Sequence, residues 1–224
     1  MLSIAGELQK PLPAPEVILI GLLAALVVLV QALWEIVMPF ETVVHESAHV
    51  LAGILTGRTI LGVRIDEPGG GSTDMEPKTG CGYGIAAFVG YIGPSAAGLI
   101  AAGLITTGRM YAVLWLGLVL LVVMLPTVRN YFGVLVIITG GVLLYLVLRY
   151  GTARTETAAA YGVAWFLLIS GTRVALRIVR KPAEVADAGV LASMIFVWRW
   201  VWCLVWLAGT IAALAFGGRI LIRG

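Results

Sequence analysis

His45-Glu46-Ser47-Ala48-His49 places two imidazoles four residues apart with a carboxylate between them, in a chain that has no other histidine. On a helix, positions i and i+4 lie on the same face. Both rings can therefore reach one metal ion while Glu46 points toward a water bound to it. This H-E-x-x-H spacing is the pattern of zinc hydrolases. A catalytic zinc takes three protein ligands and keeps a fourth position for water, whose pKa it lowers to about 7. His45 and His49 are thus candidate zinc ligands and Glu46 a candidate general base. One more ligand is required.

Two histidines at helical spacing can also be merely packed or solvated, but the surroundings argue otherwise. The run from Met38 to Gly57 is apolar enough to lie in a membrane, where ionisable side chains are costly and mark function. A metal ion is the simplest partner for such a group.

The elements that must position these residues follow from composition. Of the 224 residues, 60% are hydrophobic and 12% charged, with a mean hydropathy of +1.02, which excludes a soluble globular domain and indicates an integral membrane protein. Ile18 to Leu33 and Val113 to Leu125 are continuously apolar rather than alternating, so helices are favoured over a barrel. We expect an all-α polytopic membrane protein, a single domain over 1–224, with about seven transmembrane helices near 17–37, 39–57, 82–107, 111–128, 131–148, 158–176 and 190–216. Pro39 suits the first turn of the second helix. Between the second and third spans, at about 58–82, alternation in Thr59 to Asp66 followed by Gly69-Gly70-Gly71-Ser72-Thr73 predicts a β-hairpin. An exposed edge there can accept an extended peptide by backbone hydrogen bonding.

The N-terminal Met1 to Pro15 has one cation, Lys10, and no small-residue cleavage site follows the first apolar run, so an uncleaved first helix is expected. With the N-terminus cytoplasmic, ten of the fifteen Lys and Arg residues fall on the cytoplasmic side together with the hairpin. The net charge of +3 belongs to membrane orientation and not to nucleic acid, because the cations sit at helix ends. Trp198, Trp200, Trp202 and Trp206 read as an interfacial belt. Cys81 and Cys203 form no disulfide framework.

The third ligand has few candidates. The only aspartates are Asp66, Asp74 and Asp187. Asp187 is the best placed, just before the last span and on the hairpin side, with a helix N-terminal role as the alternative. Asp66 and Asp74 read as solvated turn residues. Asn130, the only asparagine, suits hydrogen-bonding a substrate backbone or capping a helix. Its neighbour Arg129 suits a developing oxyanion or the lipid headgroups. Gly90-Tyr91-Ile92-Gly93-Pro94 supplies small residues for close helix approach.

These motifs resemble the site-2 protease family of intramembrane zinc metalloproteases, peptidase family M50, and within it the M50B-like group. The resemblance rests on His45 to His49 in an apolar helix, Gly57-Arg58 and the glycine-rich Gly69 to Thr73, Gly90 to Pro94, and Ala186-Asp187-Ala188. It implies zinc held by His45 and His49, Glu46 as general base, core helices at about 39–128, and cleavage of peptide bonds in or near membrane-spanning segments. One departure stands out. The family's usual third ligand, the aspartate of a Leu-Asp-Gly motif, has no counterpart, and the nearest segment, Leu125 to Gly133, offers Asn130 and no acid. Either Asp187 replaces that ligand from a later helix, or the site binds metal weakly.

The expected activity is thus an intramembrane zinc metalloendopeptidase, multi-pass in the cell membrane, acting on transmembrane protein or peptide substrates within the lipid bilayer. A scaffold that binds transmembrane segments without cutting them, or a metal transporter, would use the same residues differently.

Overall fold

The computed structural model describes residues 8–223. Residues 1–7, which hold half of the expected N-terminal segment, lie outside them. The described helices are α1 Ala14–Leu29, α2 Gln31–Leu55, α3 Cys81–Thr106, α4 Met110–Met124, α5 Tyr131–Tyr150, α6 Ala153–Val179, α7 Ala186–Ile195 and α8 Arg199–Arg223. Strands β1 Thr59–Asp66 and β2 Gly70–Glu76 form one antiparallel hairpin. The protein is an all-α polytopic bundle carrying a small hairpin after the H-E-x-x-H helix.

Among the described residues five helices are long and apolar enough to cross a membrane, and a sixth crossing is made if α1 and α2, bent by 98° at their junction, count as one broken span. Two of the seven expected spans are thereby redrawn. The first break falls at Val30, not before Pro39, which lies inside α2. Nothing in the apolar run through Val30 punctuates it, and the cause is tertiary. The Arg173 guanidinium of α6 donates to the Val28 carbonyl at the end of α1 and to Gln31 Oε1 at the start of α2, the latter at 2.6 Å, and lies over the Trp34 ring at 4.8 Å. It thus satisfies a carbonyl that the broken helix leaves without an intrahelical donor. The expected last span also divides. Phe196 in the left-handed region ends α7, and α8 begins at Arg199.

Helices α3 and α6 form the centre. Ser95 of α3 abuts Gly171 of α6, and Gly98 abuts Leu168, so small residues let the two backbones approach. The outer helices turn apolar surface outward, as with Leu19, Leu22, Leu26 and Leu29 on α1, the surface that lipid would cover.

The hairpin is fastened at both ends. Gly57, in the left-handed region with φ 74°, closes α2: the Gly57 amide donates to Ile54 O at 3.0 Å and the Arg58 amide to Gly53 O at 2.8 Å. This double bond stops the helix and turns the chain into β1. Val63 and Ile65 of β1 are fully buried. The outer edge of β1 is covered by the α4–α5 connection, where the Arg129 amide donates to Val63 O at 2.9 Å. Among the described residues the outer edge of β2 pairs with no strand.

The chain's start lies at the other end of the bundle. The Gln9 amide donates to Gly108 O at 2.8 Å, and Gln9 Oε1 accepts from the Tyr111 amide at 2.9 Å, both in the α3–α4 region that α3 carries away from the hairpin. Gln9 and the hairpin thus lie at opposite ends of α3. If the bent α1–α2 pair counts as one broken span, Lys10 joins the end opposite the hairpin, leaving nine cations at the hairpin end and six at the other.

Candidate metal centre

Helix α2 presents two adjacent strips. Thr42, Glu46 and Gly53 lie beneath β2: Thr42 Oγ1 donates to Gly69 O at 2.6 Å, and Gly71 packs on Thr42 and Glu46 so closely that any side chain there would collide with them. Glu41, His45 and His49, spaced by four, face α3 and α7 across an open cavity of ≈ 700 Å³.

His49 Nδ1 lies 2.8 Å from Ala86 O. A carbonyl only accepts, so Nδ1 carries the proton and Nε2 of the neutral ring keeps its lone pair. That atom is 3.0 Å from His45 Nε2. Asp187 Oδ2 is 3.7 Å from His45 Nε2 and 3.4 Å from His49 Nε2. Zinc bonds of about 2.0–2.2 Å in tetrahedral arrangement separate neighbouring donors by about 3.3 Å, which these distances bracket. The three residues form a group able to hold a metal ion, with the donor chemistry zinc takes. Gly90 of α3 makes room for it, since a Cβ at that position would collide with the His49 ring and lie 3.0 Å from His45 Nε2.

Asp187 arrives from outside the α2–α3 pair. The short α7 buries Ala188 and Leu191, and Arg199 Nη1 donates to Ala183 O at 2.7 Å, tying the start of α8 to the turn ahead of α7. The carboxylate therefore extends from a docked helix.

Glu46 is 3% exposed. Its Oε2 accepts from Thr73 Oγ1 of β2 at 2.6 Å, which leaves Oε1 the freer oxygen. Thr73 carries no signal in the sequence, because the contact exists only once the hairpin lies on α2. Tyr91 stacks edge-on against His45, with ring centroids 4.6 Å apart, and lines the cavity. In the sequence its segment reads as close helix packing, and nothing there singles out the tyrosine ring. Glu41, also missed, is 4% exposed and faces the same cavity; its signal was the i, i+4 spacing to His45.

Other expected residues stand elsewhere. Asn130 does not line the cavity: its Nδ2 donates to Ile65 O at 2.6 Å and its Oδ1 accepts from the Ile65 amide at 3.1 Å, so its amide clamps β1. Arg129 Nε donates to Leu61 O at 3.2 Å, and this residue does not line the cavity either. Asp74 pairs with Lys78 at 2.6 Å on the surface, and Asp66 is exposed in the hairpin. Of the tryptophans, Trp198 and Trp200 are exposed as a belt requires, whereas Trp206 is fully buried and donates to Phe88 O at 2.9 Å. Cys81 opens α3 and Cys203 is buried, both as free thiols.

The model of the family described as Peptidase M50B-like matches residues 18–217. No curated protein and no solved structure matched the chain. The match takes in the metal-binding group, the hairpin and every helix from α2 to α7, and the chain belongs to the Peptidase M50B-like family.

Proposed function

We propose that this chain is an intramembrane zinc metalloprotease that hydrolyses peptide bonds in or near transmembrane segments. The observation that carries the reading is the convergence of His45, His49 and Asp187 beside a buried Glu46, in a cavity whose opposite wall is the unpaired edge of β2. Helix α3 runs from the hairpin end, and Gly90 is nine residues along it, so at 1.5 Å per residue the centre lies about 14 Å below that end.

His45 and His49, with Asp187 in place of the missing Leu-Asp-Gly aspartate, would hold the ion. Zinc, when bound, lowers the pKa of the attacking water and polarises the scissile carbonyl. Every other step falls to the chain. A substrate segment unwinds and adds as a strand to the outer edge of β2, because a helical amide is hydrogen-bonded and shielded. Glu46 takes a proton from water at Oε1 while the water oxygen bonds to the carbonyl carbon. The C–N bond then breaks and Glu46 delivers that proton to the leaving nitrogen. Thr73 holds Oε2 and so fixes which oxygen is free. With Asn130 and Arg129 outside the cavity, the task of donating to the developing oxyanion falls in this reading to the Tyr91 hydroxyl, on a ring 4.6 Å from that of His45.

The test is proteolysis of an unfolded or transmembrane peptide by purified protein in detergent. Glu46→Gln should retain zinc and lose cleavage by at least about 10³-fold. Tyr91→Phe should lower kcat by about 10²-fold, the usual cost of one oxyanion donor, with zinc content unchanged. Peptide binding without cleavage in the zinc-loaded wild type would favour a scaffold instead.

A further inference from the structure

Of the acids that line the cavity among the described residues, Glu41 is the one that neither serves the proposed chemistry nor has a partner. Glu46 is hydrogen-bonded to Thr73, Asp187 faces the imidazoles, and Glu184 pairs with Lys181 at 3.0 Å. Among the described residues Glu41 has no hydrogen bond and no ion pair, although it is 4% exposed and lines the cavity. Arg177, Arg180 and Lys181 line the same cavity, yet none comes within ion-pair distance of it. A buried carboxylate without a partner costs several kcal/mol, and it is retained where something arrives to pair with it.

The position says what arrives. Glu41 precedes His45 by four residues, about 6 Å along α2, on the same face. An extended peptide rises about 3.3 Å per residue, so that separation spans about two residues, and side chains two apart point the same way. The β2 edge runs alongside α2 in the same direction, with Gly69 over Met38, Gly71 over Thr42 and Glu46, and Thr73 on Glu46. Glu41 therefore lies on the Gly70 side of the cleavage point.

Resting on the proteolytic reading above, we infer that Glu41 is a specificity subsite that binds the cationic side chain, Lys or Arg, of a substrate residue about two positions from the scissile bond. A carboxylate in a water-poor site prefers a cation over a neutral donor because the paired charge replaces lost hydration, and a guanidinium adds a two-point fit. Membrane-spanning segments carry such residues at their boundaries, where positive charge collects. Glu41 would thus set where along a substrate the cut falls.

The experiment uses the full chain, purified in detergent and loaded with zinc, with capped peptides of about twelve residues. One series moves a single Lys through the sequence, and matched series carry Gln or Glu at the same positions. Wild type should cut each Lys peptide at a fixed offset of about two residues, about 10- to 100-fold faster than its Gln match. Glu41→Gln should collapse that ratio to near unity, and Glu41→Lys should shift the preference to Glu peptides. Equal Lys-to-Gln ratios in wild type and Glu41→Gln, or equal slowing on every peptide, overturn the inference.

Fluorescence anisotropy of the same peptides on the Glu46→Gln protein, with and without Glu41→Gln, separates the two claims. Tighter Lys binding that depends on Glu41, found together with no cleavage by the zinc-loaded wild type, leaves the subsite standing and removes the protease. Binding that ignores the Lys removes the subsite whatever the cleavage result.

Discussion

Each donor at the candidate metal centre is held by something other than the ion. The Ala86 carbonyl fixes the His49 tautomer, the docking of α7 aims Asp187, and the absence of a side chain at Gly90 leaves the rings their space. Gly90→Ala should therefore displace the imidazoles and lower zinc affinity by about 10- to 100-fold, the range seen when supports of metal ligands are altered, as titration against a competing chelator would report. An unchanged affinity would mean that the rings accommodate the methyl. His45, Glu46 and His49 were legible because helical spacing is local. Asp187 was legible because the chain has so few acids, though its 138-residue separation from His49 hid the contact itself. The same spacing that joins His45 to His49 also reaches back to Glu41. Thr73 could not be read, since a threonine in a hairpin has no pattern tying it to a helix 27 residues earlier.

Among the elements, the hairpin is the one whose placement matters most, and one side chain bonds both the amide and the carbonyl of a β1 residue. Asn130 makes two hydrogen bonds to Ile65. Asn130→Ala should cost about 1–3 kcal/mol through the backbone groups left unpaired, seen as a lower unfolding midpoint. Hydrogen exchange should rise in β1 and β2 while the zinc content holds. Loss of zinc with no change at the hairpin would contradict the clamp. Alternation and the glycine run made this hairpin readable in advance. The junction at Val30 was not readable, because the run around it is uniformly apolar and Pro39 offered a more familiar stopping point. The break is set by Arg173, which lies 143 residues further along and bonds both helix ends. A proline inside a long apolar helix is tolerated when neighbouring elements support the backbone.

At the scale of the molecule, the consequence concerns topology. Gln9 is bonded to the loop at one end of α3, and the hairpin sits at the other, so with α1 and α2 counted as one broken span the chain start and the hairpin should face opposite sides of the membrane. With nine of fifteen cations then at the hairpin end, the positive-inside tendency predicts a cytoplasmic hairpin. Labelling of Lys10→Cys and Lys78→Cys in sealed vesicles, each in a background with Cys81 and Cys203 replaced by Ser, should show reagent reaching them from opposite faces. Reaction of both from one face would refute this arrangement. Composition alone sufficed for a helical membrane protein, but sidedness depends on how many times the chain crosses, and one unrecognised broken span reverses it.

The account depends on one ion held by three side chains, and the most direct measurement is metal content with X-ray absorption on the purified protein. One zinc per chain is predicted, with two imidazole nitrogens and a carboxylate oxygen at about 2.0–2.2 Å. The Glu46→Gln protein should keep that spectrum, whereas Asp187→Asn and His49→Ala should lose or loosen the metal. A protein that takes up no zinc, or one whose zinc survives the loss of both histidines with its spectrum unaltered, contradicts the account.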